Sequence, residues 1–193
     1  MTAHLTVAVF CGSSFGHDPV FREAAVALGD GLARAGMCLV YGGGRIGLMG
    51  ALADAALAAG GEVLGVVPDF LRTTEIAHSA LTRLEVTDSM HTRKRRMFEL
   101  SDVFVSFPGG IGTLDETIEI LTWRQLGLHA KPILICNVAG AATSLLAAID
   151  GAITRGFAKK SLRHRYEVIE DVPALLMRLA SVTPTASKGG GRR

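Results

Sequence analysis

Cysteine is scarce in this 193-residue chain, with three, and tryptophan scarcer still, with one. Cys11, Cys38 and Cys136 each lie in or beside an apolar strand-like run and form no Cys-x-x-Cys pair. An odd, scattered set builds no disulfide framework, so the three read as small core residues in a reducing compartment. Long apolar runs are missing too. Although 49% of the residues are hydrophobic, no stretch reaches the ~20 residues that a membrane-spanning helix needs. The N-terminus has no basic segment leading into an apolar core and cleavage site, so no secretory leader is expected. Together these absences place the protein in the cytoplasm, away from membranes. Charge of one sign is also lacking. Twenty Lys and Arg against 18 Asp and Glu leave a formal net charge of +2, too little to imply a nucleic-acid partner. The basic clusters at 93–96 and 159–165 have no interleaved aromatics to form a stacking platform.

Short Val/Ile-rich runs alternate with segments of helical period. Strands are expected at 5–11, 38–41, 62–67, 84–86, 103–107, 133–136 and 166–169, and helices at 20–35, 48–59, 89–100, 113–125, 142–155 and 172–180. This alternation predicts an α/β fold: a Rossmann-like, doubly wound parallel sheet of about seven strands with helices on both faces. One domain over 1–182 is expected, with a disordered tail at 183–193 that is small, polar and ends in glycines and arginines.

In such folds ligands bind outside the carboxyl ends of the strands. Glycine and serine cluster there: Gly12-Ser13-Ser14 after the first strand, Gly42-Gly43-Gly44 after the second and Pro108-Gly109-Gly110 after the fifth. The most informative stretch is Pro-Gly-Gly-x-Gly-Thr-x-x-Glu over 108–116. Glycines let the backbone approach a ligand, and the unpaired N–H groups of a new helix suit a phosphate. Thr113 and Glu116 also have the spacing of a capping box, in which each merely satisfies the helix's first N–H groups. Both roles remain open on spacing alone. Gly42 to Gly47 fits Gly-x-Gly-x-x-Gly, but on the second strand, and Glu62, where a ribose-binding acid would stand, falls inside an expected strand. A mononucleotide substrate therefore fits better than a dinucleotide cofactor.

Arg93-Lys94-Arg95-Arg96 opens another helix, with Arg93 on the face of Met90 and Met97 and Lys94 turned about 100° away. Arginine presents a fixed fork suited to phosphate and keeps its proton throughout the physiological range. Arg95 and Arg96 read as a solvated face, and for Arg93 and Lys94 a ligand contact and a solvated face are equally open. A carboxylate touching a phosphate would repel it, so Glu116 should act about a sugar's width away. There it suits ribose hydroxyls, an oxocarbenium-like transition state or an attacking water. Arg93 would act electrostatically. His91 and His129 lack metal-ligand spacing, no Gly-x-Ser-x-Gly elbow occurs, and hydrolysis without metal or cofactor is the simplest expectation.

The 108–116 motif, the Arg93–Lys94 pair, Tyr-Gly-Gly-Gly-Arg-Ile-Gly-Leu-Met-Gly over 41–50 and Trp-Arg-Gln-Leu-Gly-Leu-His-Ala-Lys-Pro over 123–132 resemble the LOG (Lonely Guy) family. These are cytokinin riboside 5′-monophosphate phosphoribohydrolases, often labelled lysine decarboxylases. The likeness runs from about Val7 to Ala180. It implies a homodimer that hydrolyses the N-glycosidic bond of a nucleoside monophosphate to a free adenine-type base and ribose 5-phosphate. It casts Arg93 and Glu116 as the catalytic pair. Substrate contacts would come from Lys94, Gly43, Gly44, Gly109, Gly110, Ile111, Gly112, Thr113, Leu114 and Asp115. Glu75 and Thr122 join them on the resemblance alone. No lysine has a setting that announces a pyridoxal phosphate site. Cleavage of plain AMP or another purine nucleotide, and nucleotide binding without turnover, stand as alternatives.

Overall fold

The computed structural model of the protein describes residues 4–72 and 78–184. Seven strands, β1 (Thr6–Phe10), β2 (Cys38–Tyr41), β3 (Val63–Pro68), β4 (Arg83–Thr87), β5 (Val103–Ser106), β6 (Ile133–Cys136) and β7 (Glu167–Ile169), form one sheet in the order β4-β3-β2-β1-β5-β6-β7. Every pairing is parallel. The connecting helices are α1 (Pro19–Arg34), α2 (Gly47–Ala58), the single turn α3 (Asp69–Arg72), α4 (Met90–Leu100), α5 (Ile111–Gln125), α6 (Thr143–Thr154) and α7 (Val172–Ala180). Short 3-10 turns at Val138–Gly140 and Lys160–Arg165, like α3, fall where no helix is expected.

Alternate strand residues feed two cores. Val7, Val9, Leu39, Tyr41, Val103 and Val105 face α1, α2 and α7 through Leu28, Leu32, Leu52, Leu175 and Leu179. Ala8, Phe10, Val40, Val66, Phe104 and Ile135 face α4, α5 and α6 through Met97, Ile120, Leu121 and Ile149. Burial on both faces explains why the central strands read as continuous apolar runs. The edge strand β4 is half exposed and alternates.

The winding reverses between β1 and β5, which are neighbours, and that switch point opens the crevice where ligands sit in such sheets. Glu62 is exposed and precedes β3, at the opposite edge of the sheet, which removes it from any ribose contact in the crevice. Of the expected tail, 185–193 lies outside the described residues. No described helix is long and apolar enough to cross a membrane.

Candidate active site

The three glycine- and serine-rich turns meet at the carboxyl edge of the sheet, as their positions predict. Gly12 N–H donates to the Pro108 carbonyl at 3.0 Å, and Met49 N–H, from the first turn of α2, donates to the Gly12 carbonyl at 3.1 Å. Between them lies a cleft of about 410 Å³, walled by Gly12 and Ser13, by Gly42 and Gly44, and by Gly110 to Thr113.

Helix α5 starts at Ile111, two residues before its expected start, with Gly110 as an N-cap that offers no side-chain hydrogen bond. Its first backbone bond runs from Leu114 N–H to the Gly110 carbonyl at 3.1 Å. The N–H groups of Ile111, Gly112 and Thr113 therefore precede the intrahelical ladder and stand at the positive end of the helix. They form an anion cradle. Gly109 makes the tight turn workable, because a Cβ there would run into Thr113 Oγ1 and come within 2.8 Å of Gly12 N. Thr117 Oγ1 donates to the Thr113 carbonyl at 2.7 Å and accepts from the Ser106 hydroxyl at 2.8 Å, which locks α5 onto the end of β5.

The earlier start removes the capping-box alternative from the two roles left open for Thr113 and Glu116. Thr113 lies inside the first turn, and Glu116 points its carboxylate across the cleft to α4. There Arg93 Nη1 donates to Glu116 Oε1 at 2.9 Å, while Arg93 Nε donates to the Val66 carbonyl at 3.0 Å. Both side chains are nine-tenths buried. Burial pushes the Glu116 carboxyl above the usual range against the lowering pull of Arg93, which brings it toward the range useful for proton transfer near neutral pH. Burial also raises the Cys11 thiol well up, with Glu116 adding to the effect, so Cys11 lines the cleft as a protonated thiol.

Of the residues expected to meet substrate, Arg93, Gly44, Gly110, Ile111, Gly112, Thr113 and Glu116 line the cleft. Lys94 does not: its Nζ bridges Asp115 Oδ2 at 3.0 Å and Glu119 Oε2 at 3.1 Å, bracing α4 against α5. Asp115 is occupied by that bridge, Leu114 faces outward, and Gly109 lies behind the cradle. Gly43 turns away from the cleft; its carbonyl accepts from His78 N–H at 2.9 Å. Thr122 is exposed and its hydroxyl donates back to the Ile118 carbonyl at 2.7 Å. Glu75 lies outside the described residues. Arg95 pairs with Glu99 at the surface as expected, whereas Arg96 is held by Glu85 of β4 and Glu99.

Sequence reasoning missed the apolar part of the wall: Ile46, Met49, Val67 and Leu71. Ordinary aliphatic residues carry no local signal for such a role. It also missed which glycine of the second turn matters most. A Cβ on Gly42 would overlap Arg93 Nη2 and approach Met49 Sδ to 3.2 Å. Gly42→Ala should displace the guanidinium. With misplacements near 1 Å costing about 100-fold, steady-state assays should show kcat/KM down by roughly that factor in a folded protein.

Among the described residues no cluster of three or more His, Cys, Asp or Glu side chains gathers as a metal site, and no lysine lines the cleft. Comparison with known proteins fits this geometry. Residues 49–179 match a family model described as "Possible lysine decarboxylase". A cytokinin riboside 5′-monophosphate phosphoribohydrolase of Rhodococcoides fascians is 43% identical over 177 residues, covering 91% of this chain and 89% of that one. One from Arabidopsis thaliana is 39% identical over 187 residues, covering 97% and 88%. Among solved structures, the molybdenum cofactor binding protein of Rippkaea orientalis superposes with a TM-score of 0.70 at 21% identity, covering 94% of this chain and 98% of that one, a likeness of fold alone. Matched over most of its length by the model and by these relatives, the chain belongs to the LOG family of cytokinin riboside 5′-monophosphate phosphoribohydrolases.

Proposed function

We propose that the protein, as a single catalytic domain over 1–182, hydrolyses the N-glycosidic bond of cytokinin riboside 5′-monophosphates in the cytoplasm. The observation that carries this is the buried Arg93–Glu116 pair beside an anion cradle in one cleft. The phosphate sits on the N–H groups of Ile111, Gly112 and Thr113. With Oε1 held by Arg93, Glu116 Oε2 is the oxygen left to accept from a ribose hydroxyl or an attacking water. As the bond between C1′ and the base breaks, the carboxylate stabilises the cationic sugar and draws a proton from the water that adds to C1′. The base takes a proton from solvent as the bond to C1′ breaks and leaves neutral, Glu116 returns the proton it drew from water to solvent, and ribose 5-phosphate remains on the cradle.

The reading makes the phosphate indispensable. Isopentenyladenosine monophosphate and isopentenyladenosine, the same nucleoside without phosphate, should be compared for release of free base. Release from the monophosphate at least ~100-fold faster supports the assignment, by analogy with the loss of one positioned oxyanion contact. Equal rates would remove the cradle from the mechanism.

The working unit is a homodimer. Helix α5 exposes Ile111, Leu114 and Ile118 on one stripe, at the i, i+3, i+7 spacing of a packing face. The cleft opens onto this stripe at Ile111. Thr122 continues the stripe beyond its own protomer's cleft, which suits a contact to the substrate of a second copy. Ile118→Glu should therefore shift the protein to monomer in sedimentation velocity and reduce turnover with it. A dimer that persists would place the contact elsewhere.

A further inference from the structure

Resting on the phosphoribohydrolase reading, we infer that His78 is a positioning residue for the reaction. Latched to Asp54, it holds the Gly42–Gly44 turn in the shape that seats the Arg93 guanidinium beside Glu116. Neither His78 nor Asp54 lines the cleft, so their effect on the chemistry passes through the turn. Two successive residues set the shape of that turn. Gly42 lies against Arg93, where a Cβ would stand 2.2 Å from Nη2. Gly43 has φ +76°, a left-handed conformation that glycine adopts without a Cβ clash. Its carbonyl accepts from the His78 N–H at 2.9 Å, and it packs on β3, where a Cβ on Gly65 would come within 2.9 Å of its Cα. The same strand holds Arg93 through the Val66 carbonyl.

His78 is buried, and its ring is satisfied at both nitrogens. Ala80 N–H donates to Nδ1 at 3.2 Å, so Nδ1 carries no hydrogen and Nε2–H donates to Asp54 Oδ1 at 2.9 Å. Asp54 belongs to α2, the helix that leaves the turn. One residue thus ties together α2, the chain entering β4 and the turn itself. The flanking elements are fixed independently. β4 pairs with β3 over five residues, and the first turn of α2 is bound to the Gly12 carbonyl by Met49. What the His78 contacts add falls on the turn between β2 and α2, which packs against Arg93. Without the ring, residue 78 is free to shift, the Gly43 carbonyl loses its donor and Gly42 moves relative to the guanidinium. The phosphate cradle is shaped instead by Gly109 and Gly110 at the start of α5, so the loss should fall on kcat and leave KM nearly unchanged.

His78→Ala and, separately, Asp54→Ala should be assayed with isopentenyladenosine monophosphate. For His78→Ala the expected kcat is lower by about 10-fold, a fraction of the 100-fold that a misplacement near 1 Å costs. Asp54 is mostly exposed, so Asp54→Ala opens the latch without opening the core. It should lower kcat in the same sense, and the double variant should be no slower than His78→Ala alone, because both act through one bond. His78→Gln, whose amide can still donate to Asp54, should recover most of the lost kcat, and recover none of it beside Asp54→Ala. A folded His78→Ala or Asp54→Ala protein with wild-type kcat, whatever its melting temperature, overturns the inference and leaves the hydrolase reading standing. Wild-type protein that releases no base overturns the hydrolase reading itself, and the inference with it.

Discussion

Glu116→Gln yields a folded protein that turns over its nucleotide about 10²–10⁴-fold more slowly, the loss typical of a positioned acid–base group. Glutamine keeps the volume of the side chain and an oxygen for Arg93 Nη1, so the α4–α5 contact survives and circular dichroism should match wild type. What disappears is the carboxylate that steadies the sugar cation and takes the proton. The pH profile adds an independent reading. Because burial holds the Glu116 carboxyl above its usual range, kcat/KM should fall with decreasing pH around an apparent pKa higher than the ~4.3 of an ordinary glutamate. That limb should be missing in the residual activity of the glutamine variant. Near-wild-type turnover in a soluble Glu116→Gln protein would reduce Glu116 to a structural partner of Arg93.

Arg93→Ala should damage both function and stability. The guanidinium holds Glu116 Oε1 and the end of β3 at once, and its removal leaves a nine-tenths buried carboxylate without its partner. Breaking one side of a buried pair costs about 3–5 kcal/mol. The penalty depends on pH in a definite sense. With the lowering pull of Arg93 gone, burial acts unopposed and the folded-state pKa of Glu116 climbs further. The folded protein then keeps a proton that the unfolded chain releases, so stability is lost as pH rises from the unfolded value toward the folded one. Denaturant melts should show a larger deficit for Arg93→Ala at pH 8 than at pH 5. Adding Glu116→Gln to Arg93→Ala should restore part of the loss, a coupling that a double-mutant cycle measures directly. Purely additive effects would contradict the pairing. Turnover of the single variant should fall by about 10²–10³-fold, as for other charge-stabilising groups.

Much of this architecture is legible in the sequence because buried parallel strands announce themselves as short Val/Ile runs. β2 and β6 fall on their expected residues, and the other strands differ by a residue or two at their ends. α3 escapes notice because one turn, Asp69 to Arg72, has no room for a periodic signal. The start of α5 is misjudged for a physical reason. Gly109 and Gly110 read as open loop, yet Gly110 in extended geometry is itself the N-cap, and the helix begins on the next residue. That shift decides whether Glu116 caps its own helix or reaches α4.

Helical periodicity separates the faces of Arg93 and Lys94 and leaves their partners unnamed. Lys94 is claimed by Asp115 and Glu119, which belong to another helix. Likewise nothing local distinguishes Gly42, against which Arg93 packs, from Gly43, which turns its carbonyl to His78. The apolar wall is the least legible part, since Ile46 and Leu71 differ from core residues only in where the fold leaves them.

The account stands most directly on one product analysis. Purified wild-type protein is incubated with isopentenyladenosine monophosphate in the presence of a chelator, and free base and ribose 5-phosphate are quantified together. Equal amounts of the two, growing linearly with time and enzyme, are the predicted result. Nucleotide that is bound yet recovered intact would contradict it.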